Sequence, residues 1–312
     1  MSFKIVGIGE VLWDVFPAGR QLGGAPANFA YHARALGATA CVATRVGNDD
    51  LGRLIRARFE NLGIADGTMQ VDDTVATGTV TVALSDGGIP DYIIHENVAW
   101  DRLQVTPAAL DAIRKADAIC FGSLAQRGDI SRHSIQRLVA AAPATTLRVF
   151  DINLRQKYFS RDIIEQSLHL ASVLKLNHGE LPVLAAMFDL SGSTRQQIEK
   201  LARKFSLQLV ALTRGPEGSL LYQTGEWSDC PSVATNVVDT VGAGDSFAAA
   251  MVMGLLHKMA LGKINALANE LAGFVCSCAG ATPPLPASIC DRFAARPLIT
   301  KPVSNLAGSL QP

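Results

Sequence analysis

The sequence predicts a doubly wound α/β fold, a mostly parallel sheet with helices on both faces, and two observations carry that reading. Short apolar runs rich in β-branched residues recur at Lys4 to Ile8, Ala40 to Val46, Ala118 to Phe121, Leu147 to Phe150, Val173 to Leu176 and Leu209 to Leu212. Between most of them lie longer stretches with Ala, Leu and Ile at helical spacing, the pattern of βαβ units on a parallel sheet. Several runs end in a glycine or a polar residue: Gly122, Asp151, Asn177 and Thr213. In open α/β sheets the ligand sits beyond the carboxyl ends of the strands, so these positions are the expected rim of a site.

At 312 residues and 48% hydrophobic content, the chain is long enough to bury a large core, read here as one main domain with a small appendage. The 28 basic and 28 acidic residues cancel, and neither sign gathers into a run that would track a phosphate backbone or an anionic membrane. Nucleic acid and membrane are therefore not expected partners. The N-terminus passes at once into the apolar run Phe3 to Ile8 without a basic leader, and no stretch reaches the roughly 18 apolar residues of a membrane span. The expected compartment is the cytoplasm. The six cysteines are scattered, and Cys276 and Cys278 form only C-x-C; they read as buried free thiols, not as a zinc site.

One stretch breaks the βαβ rhythm. Thr77 to Leu84 alternates Thr with apolar residues, Ser85-Asp86-Gly87-Gly88 supplies turn chemistry, and a second strand is expected from about Asp91 to His95. With the segment 11–23 beside it, the hairpin over 76–100 reads as a small β-sheet lid that would exclude water from a reacting site; an edge extension of the main sheet is the plainer alternative. The segment after about Thr282, rich in Pro and Ala, reads as a packed-down or partly disordered terminus.

The strongest local signal is Asp239-Thr240-Val241-Gly242-Ala243-Gly244-Asp245-Ser246-Phe247, leading into an apolar helix. Two glycines at a helix N-terminus let backbone amides face an anion, and the macrodipole favours one there. Asp245 is out of place in a pure anion site, because a fixed carboxylate repels phosphate. It makes sense as a general base that deprotonates an attacking hydroxyl while Gly242, Ala243 and Gly244 hold the growing charge. An N-terminal capping Asp is the structural alternative.

A second glycine-rich helix start is Gly23-Gly24-Ala25-Pro26-Ala27-Asn28, where Pro26 suits the first turn and Gly37 the far cap. Gly23 and Gly24 permit close backbone approach, and Asn28 offers an amide to hydroxyls. Asp14, which follows the first strand, could accept from two neighbouring hydroxyls of a polyol; a surface Asp in a loop is the alternative. Asn177 and Glu180, after a strand containing Lys175, supply hard oxygens suited to magnesium or its waters; a capped helix start is the alternative. Asp151-Ile152-Asn153-Leu154-Arg155 places a guanidinium near the rim, and Thr213-Arg214-Gly215-Pro216-Glu217-Gly218 gives a tight backbone suited to a nucleotide. The dinucleotide fingerprint fails because Leu12 stands where its third glycine belongs, and no G-x-x-x-x-G-K-[ST], H-E-x-x-H or G-x-S-x-G occurs.

Taken in order, from Ile5 to about Thr282, these pieces resemble the ribokinase-like (PfkB) carbohydrate kinases. The glycine pair with Asn28 is similar to that family's first signature, and the DTVGAGDSF string at 239–247 to its second. The resemblance implies in-line transfer of the γ-phosphoryl of Mg-ATP to a sugar hydroxyl, with Asp245 as catalytic base and Gly242 to Gly244 as anion hole. It further implies that Asp14, Gly23, Gly24, Asn28 and Arg155 hold the sugar. Lys175, Asn177, Thr213, Gly215 and Gly218 would hold the nucleotide, and Asn177 and Glu180 would organise magnesium. Asp239 and Val241 would lie beside a monovalent cation such as potassium, and the lid would serve a homodimer. DINLR (151–155) and GGAPANFA (23–30) look most like fructokinases. Where many bacterial fructokinases carry Arg before Glu in the second lid strand, this chain has His95-Glu96, so ribose, 2-keto-3-deoxygluconate and a nucleoside stay open as substrates. A catalytically silent sugar sensor is the rival from another class, and a sensor has no need of a base.

Overall fold

The structure, a computed structural model, describes residues 2–17, 19–84 and 90–293. Its strands are β1 (Lys4–Ile8), β2 (Leu12–Phe16), β3 (Gly19–Gly23), β4 (Thr39–Gly47), β5 (Met69–Asp72), β6 (Thr79–Leu84), β7 (Pro90–Ile94), β8 (Ala118–Phe121), β9 (Leu147–Asp151), β10 (Val173–Asn177), β11 (Leu209–Thr213), β12 (Ser219–Gln223) and β13 (Glu226–Cys230). The helices are α1 (Ala25–Ala35), α2 (Asp50–Asn61), α3 (Pro107–Arg114), α4 (Asp129–Ala140), α5 (Arg161–Leu170), α6 (Glu180–Met187), α7 (Thr194–Phe205), α8 (Ala243–Leu256), α9 (Leu261–Cys276) and α10 (Ala287–Cys290).

Nine strands form one sheet in the order β13-β12-β11-β10-β9-β8-β1-β4-β5. It is parallel from β5 to β11, and β12 and β13 complete it as an antiparallel edge. All six apolar runs read from the sequence are strands of its parallel part. They are apolar on both sides because both faces are covered. One core joins the sheet to α3, α4, α5, α6 and α7 through Ile113, Leu138, Leu168, Leu184 and Leu201. The other joins it to α1, α8 and α9 through Phe29, Met251 and Leu271.

The remaining four strands form a separate sheet, β3-β2-β6-β7, in which β2 pairs antiparallel with β3 and parallel with β6. The alternation of Thr and apolar residues in β6 answers to this half-covered setting, with Val80 buried against the main core. The 76–100 segment is thus not an extension of the main sheet. The turn expected at Ser85-Asp86-Gly87-Gly88 lies outside the described residues, as does the tail from residue 294; the described part of the stretch following Thr282 is packed down, carrying α10 and burying Ile289 and Phe293. All six cysteines are free. Among the described residues no helix is long and apolar enough to cross a membrane.

Candidate active site

The carboxyl ends of β9 and β10 and the first turns of α1 and α8 come together through Asp151, Lys175, Asn28 and Asp245. α8 starts at Ala243 behind Gly242, whose φ of +78° is a conformation that glycine adopts without strain. A Cβ at Gly242 would also lie 2.6 Å from the carbonyl oxygen of Ala281. Ala243 donates weakly to Thr240 O at 3.3 Å, while the amides of Gly242 and Gly244 have no acceptor among the described residues. Of the three amides expected to receive an anion, these two are the freer.

Asp245 occupies the first turn of α8 and is half-buried. Its Oδ2 accepts from Nδ2 of Asn28, a buried residue one turn into α1, at 2.8 Å. Burial, with Asp151 beside it, raises the carboxyl to about 6 against the opposing pull of Lys175, the Asn28 amide and Arg155. A carboxyl set there is ionised at neutral pH and can accept a proton from a hydroxyl held against it.

Lys175, on β10, sends its ammonium to both oxygens of Asp151 at the end of β9, at 3.0 and 2.9 Å. Both are buried. Burial alone would lower the lysine, but Asp151, Asp245 and Glu180 together outweigh it and hold the ammonium above its ordinary value. Its Nζ lies 2.8 Å from where a Cβ of Gly244 would stand, so the cation sits directly under the α8 turn.

On the α1 side, Gly24 takes φ +110° with its α-carbon packed on the backbone of Glu10 and Val11, and Gly23 lies against the Asp14 carboxylate. Asp14 lies on β2 of the small sheet, where pairing with β3 at Gln21 fixes it, so the surface-loop alternative falls. Burial raises its carboxyl to about 6, and Arg155 opposes the shift. Arg155 is exposed at the rim and exerts its charge on Glu10, Asp14 and Asp245 together.

Two buried charge arrangements escaped the sequence reading, one at the site and one beside the small sheet. Glu10 is 2% exposed, its Oε2 has no hydrogen-bond partner, and burial, reinforced by Asp245, raises it to about 7. Arg127 forks onto Asp101 at 2.8 and 2.9 Å, stacks 4.0 Å over Trp100, and donates to the carbonyl of His95 at 2.6 Å. It pins the chain at His95, just beyond β7. The signal available for Glu10 was its place one residue past a strand-ending glycine; for Arg127 no local pattern pointed there.

Asn177 and Thr213 are register partners at the ends of β10 and β11. Oδ1 of Asn177 caps α6 by accepting from the amides of Gly179 and Glu180, and the Glu180 carboxylate accepts from the amides of Leu154 and Asn177. Both oxygens of Glu180 are thereby engaged once, which suits them to hold a metal through water more than to bind it directly. Among the described residues no group of three or more His, Cys, Asp and Glu is placed to hold a metal ion. Gly215, at φ +58°, and Gly218, at φ +83° with its α-carbon packed on Cys230 and Pro231, bend the chain beyond β11. This turn lies on the far side of Asn177 from α1. Asp239 uses one oxygen for the amide of Val241 and the other for that of Gly280, each at 3.0 Å, bridging two loops.

A carboxylate in the first turn of a glycine-led helix, with a buried cation beneath it on a doubly wound α/β scaffold, is an arrangement suited to phosphoryl transfer. The pfkB family carbohydrate kinase profile matches residues 9–288, and the chain belongs to that family: it is a sugar kinase. It is 30% identical to a fructokinase of Escherichia coli over 268 residues, 82% of this chain and 85% of that one. It is 28% identical to a protein described as a sugar kinase of Pyrococcus horikoshii over 288 residues, 86% and 88% of the two chains. The latter protein's structure in complex with ATP superposes with a TM-score of 0.76 at 26% identity, covering 89% of this chain and 94% of that one.

Proposed function

We propose that this chain is a fructokinase that transfers the γ-phosphoryl of Mg-ATP to a hydroxyl of fructose, with Asp245 accepting the proton. The observation that carries the reading is the placement of Asp245 in the same helix turn as the amides of Gly242 and Gly244, which have no acceptor among the described residues. In-line transfer needs little covalent help from the protein, so positioning and charge stabilisation supply the catalysis. Asp14, Gly23, Gly24 and Asn28 bind the sugar with Arg155 at the rim, while Thr213, Gly215 and Gly218 line the nucleotide and Lys175 faces its phosphates. Magnesium would come with the nucleotide, held through water by Asn177 and Glu180, and would neutralise charge on the phosphates. Potassium beside Asp239 and Val241 would order the loop before the anion hole.

Fructose is favoured by the likeness to the Escherichia coli fructokinase and by the charge of the cleft. Glu10, Asp14 and Asp245 outnumber Arg155 on the sugar side, a setting that suits a neutral polyol and repels the carboxylate of a sugar acid. A dimer through the lid is supported by Tyr92 and Ile93, 46% and 50% exposed on its edge strand β7; size-exclusion chromatography with light scattering checks it. The test of substrate is ADP release from Mg-ATP across fructose, ribose, 2-keto-3-deoxygluconate and adenosine, with and without potassium. Turnover confined to fructose is expected. Preference for another member reassigns the substrate, and binding without turnover of any of them overturns the kinase chemistry in favour of a sensor.

A further inference from the structure

Asn28, Tyr31 and His32 stand at i, i+3 and i+4 of α1 and so share one face of the helix. Asn28 reaches Asp245. The other two reach a segment remote in sequence: the Tyr31 hydroxyl donates to the carbonyl of Pro283 at 2.8 Å, and Nε2 of His32 lies 2.9 Å from the carbonyl of Ala281. A carbonyl only accepts, so His32 is the Nε2–H tautomer. The ring is completely buried, and burial lowers it to about 4, so it stays neutral through the working pH range.

The segment held in this way is the floor of the anion turn. Ala281 packs against Gly242 closely enough to forbid a side chain there. One residue earlier, the amide of Gly280 donates to Asp239 Oδ2, whose other oxygen holds the amide of Val241, and the carbonyl of Cys276 receives the amides of Val238 and Asp239. Residues 276–283 are therefore a strap, bonded to 238–242 on one side and to α1 on the other.

We infer that His32, with Tyr31, is a positioning residue for phosphoryl transfer, setting the Gly242 turn through the strap at Ala281 while Asn28 on the same helix face sets Asp245. The inference rests on the proposed role of the Gly242 turn as the anion hole. His32 touches no reacting atom. Its loss frees the Ala281 carbonyl, lets the strap drift from Gly242, and misplaces amides that act on charge present only in the transition state.

The test compares His32→Leu, His32→Gln and Tyr31→Phe with the wild type. Gln places an amide N–H at the reach of Nε2, and Phe removes one hydroxyl without changing the packing, so these two remain informative if Leu at position 32 compromises folding. Steady-state kinetics with the substrate that the wild type turns over should show kcat lowered about tenfold or more in His32→Leu, with the sugar KM within about twofold. His32→Gln should recover most of the loss, and Tyr31→Phe should fall between. Hydrogen exchange gives a readout independent of turnover: amides in 238–244 and 276–283 should exchange faster in His32→Leu while those of β8 to β11 are unchanged. If the wild type phosphorylates nothing, the proposed function fails, and the exchange data still decide the strap. Wild-type kcat in a folded His32→Leu, or unchanged exchange in 238–244, overturns the inference.

Discussion

The side-chain amide of Asn28 donates to Oδ2 of Asp245 at 2.8 Å, joining two glycine-led helix starts that lie 217 residues apart in the chain. Because the bond favours the ionised carboxylate, it partly offsets the burial that raises Asp245 to about 6. A base works only when ionised, so kcat/KM should climb with pH through about 6 and level off above. Removing the donor with Asn28→Ala should move that rise to higher pH, and Asp245→Asn should lower kcat by roughly 10²- to 10⁴-fold at all pH values. A pH–rate profile of the three proteins checks both; an Asp245→Asn enzyme with wild-type kcat would remove the base from the mechanism.

The Lys175–Asp151 pair makes a second, separable prediction. Either partner alone would be a buried, uncompensated charge, so Lys175→Met should destabilise the fold by about 3–5 kcal/mol. Adding Asp151→Asn should restore most of that stability, since the orphaned carboxylate is then gone, yet leave activity low because the cation under Gly244 is missing. Urea denaturation of the single and double variants measures the first effect and kcat the second.

The sequence made the two glycine motifs legible because each places its chemistry within one contiguous string that also starts a helix. The parallel strands were legible because burial on both faces writes an unbroken apolar run. The short edge strands β12 and β13 left no such mark, since β12 is buried only over its first three residues and β13 is half-buried or exposed throughout. A surface loop stayed open as an alternative for Asp14 because its pairing with β3 depends on a separate sheet whose strands β2 and β3 are largely polar or half-exposed. Both members of the Lys175–Asp151 pair were visible in the sequence, but their pairing was not, because adjacency of β9 and β10 is a fact of topology. Glu10 was hidden for a similar reason: its carboxylate becomes a buried orphan only once Gly24 and α1 close over it.

Burial of Glu10 has a consequence for stability, with a definite sign. Its folded-state value is raised from 4.5 to about 7, so its contribution is fully present below about pH 4.5 and is lost as pH rises through 7. Glu10→Gln removes that penalty. At pH 8 the variant should be more stable than the wild type by on the order of 3 kcal/mol, while at pH 4.5 the two should nearly coincide. Thermal unfolding at both pH values checks it; equal gains at the two would show that packing, not charge, limits this position.

Gly242 and Gly244 should not respond alike to alanine, although they stand two residues apart in the same turn. At Gly242 the methyl group meets Ala281 backbone at 2.6 Å and the residue must also hold φ +78°, so neither neighbour nor conformation can yield cheaply. At Gly244 the backbone is helical, and the obstacle is Nζ of Lys175 at 2.8 Å, the tip of a flexible side chain restrained by Asp151. Gly244→Ala should therefore fold with near-native stability and displace the lysine, lowering kcat by roughly tenfold or more. Gly242→Ala should lose stability as well as activity, because the whole start of α8 must move. If the charge pair matters at Gly244, shortening the obstacle should relieve the clash without restoring the rate: Gly244→Ala combined with Lys175→Met would remain slow. Recovery of wild-type kcat in that double variant would show that the lysine only fills space beneath the turn.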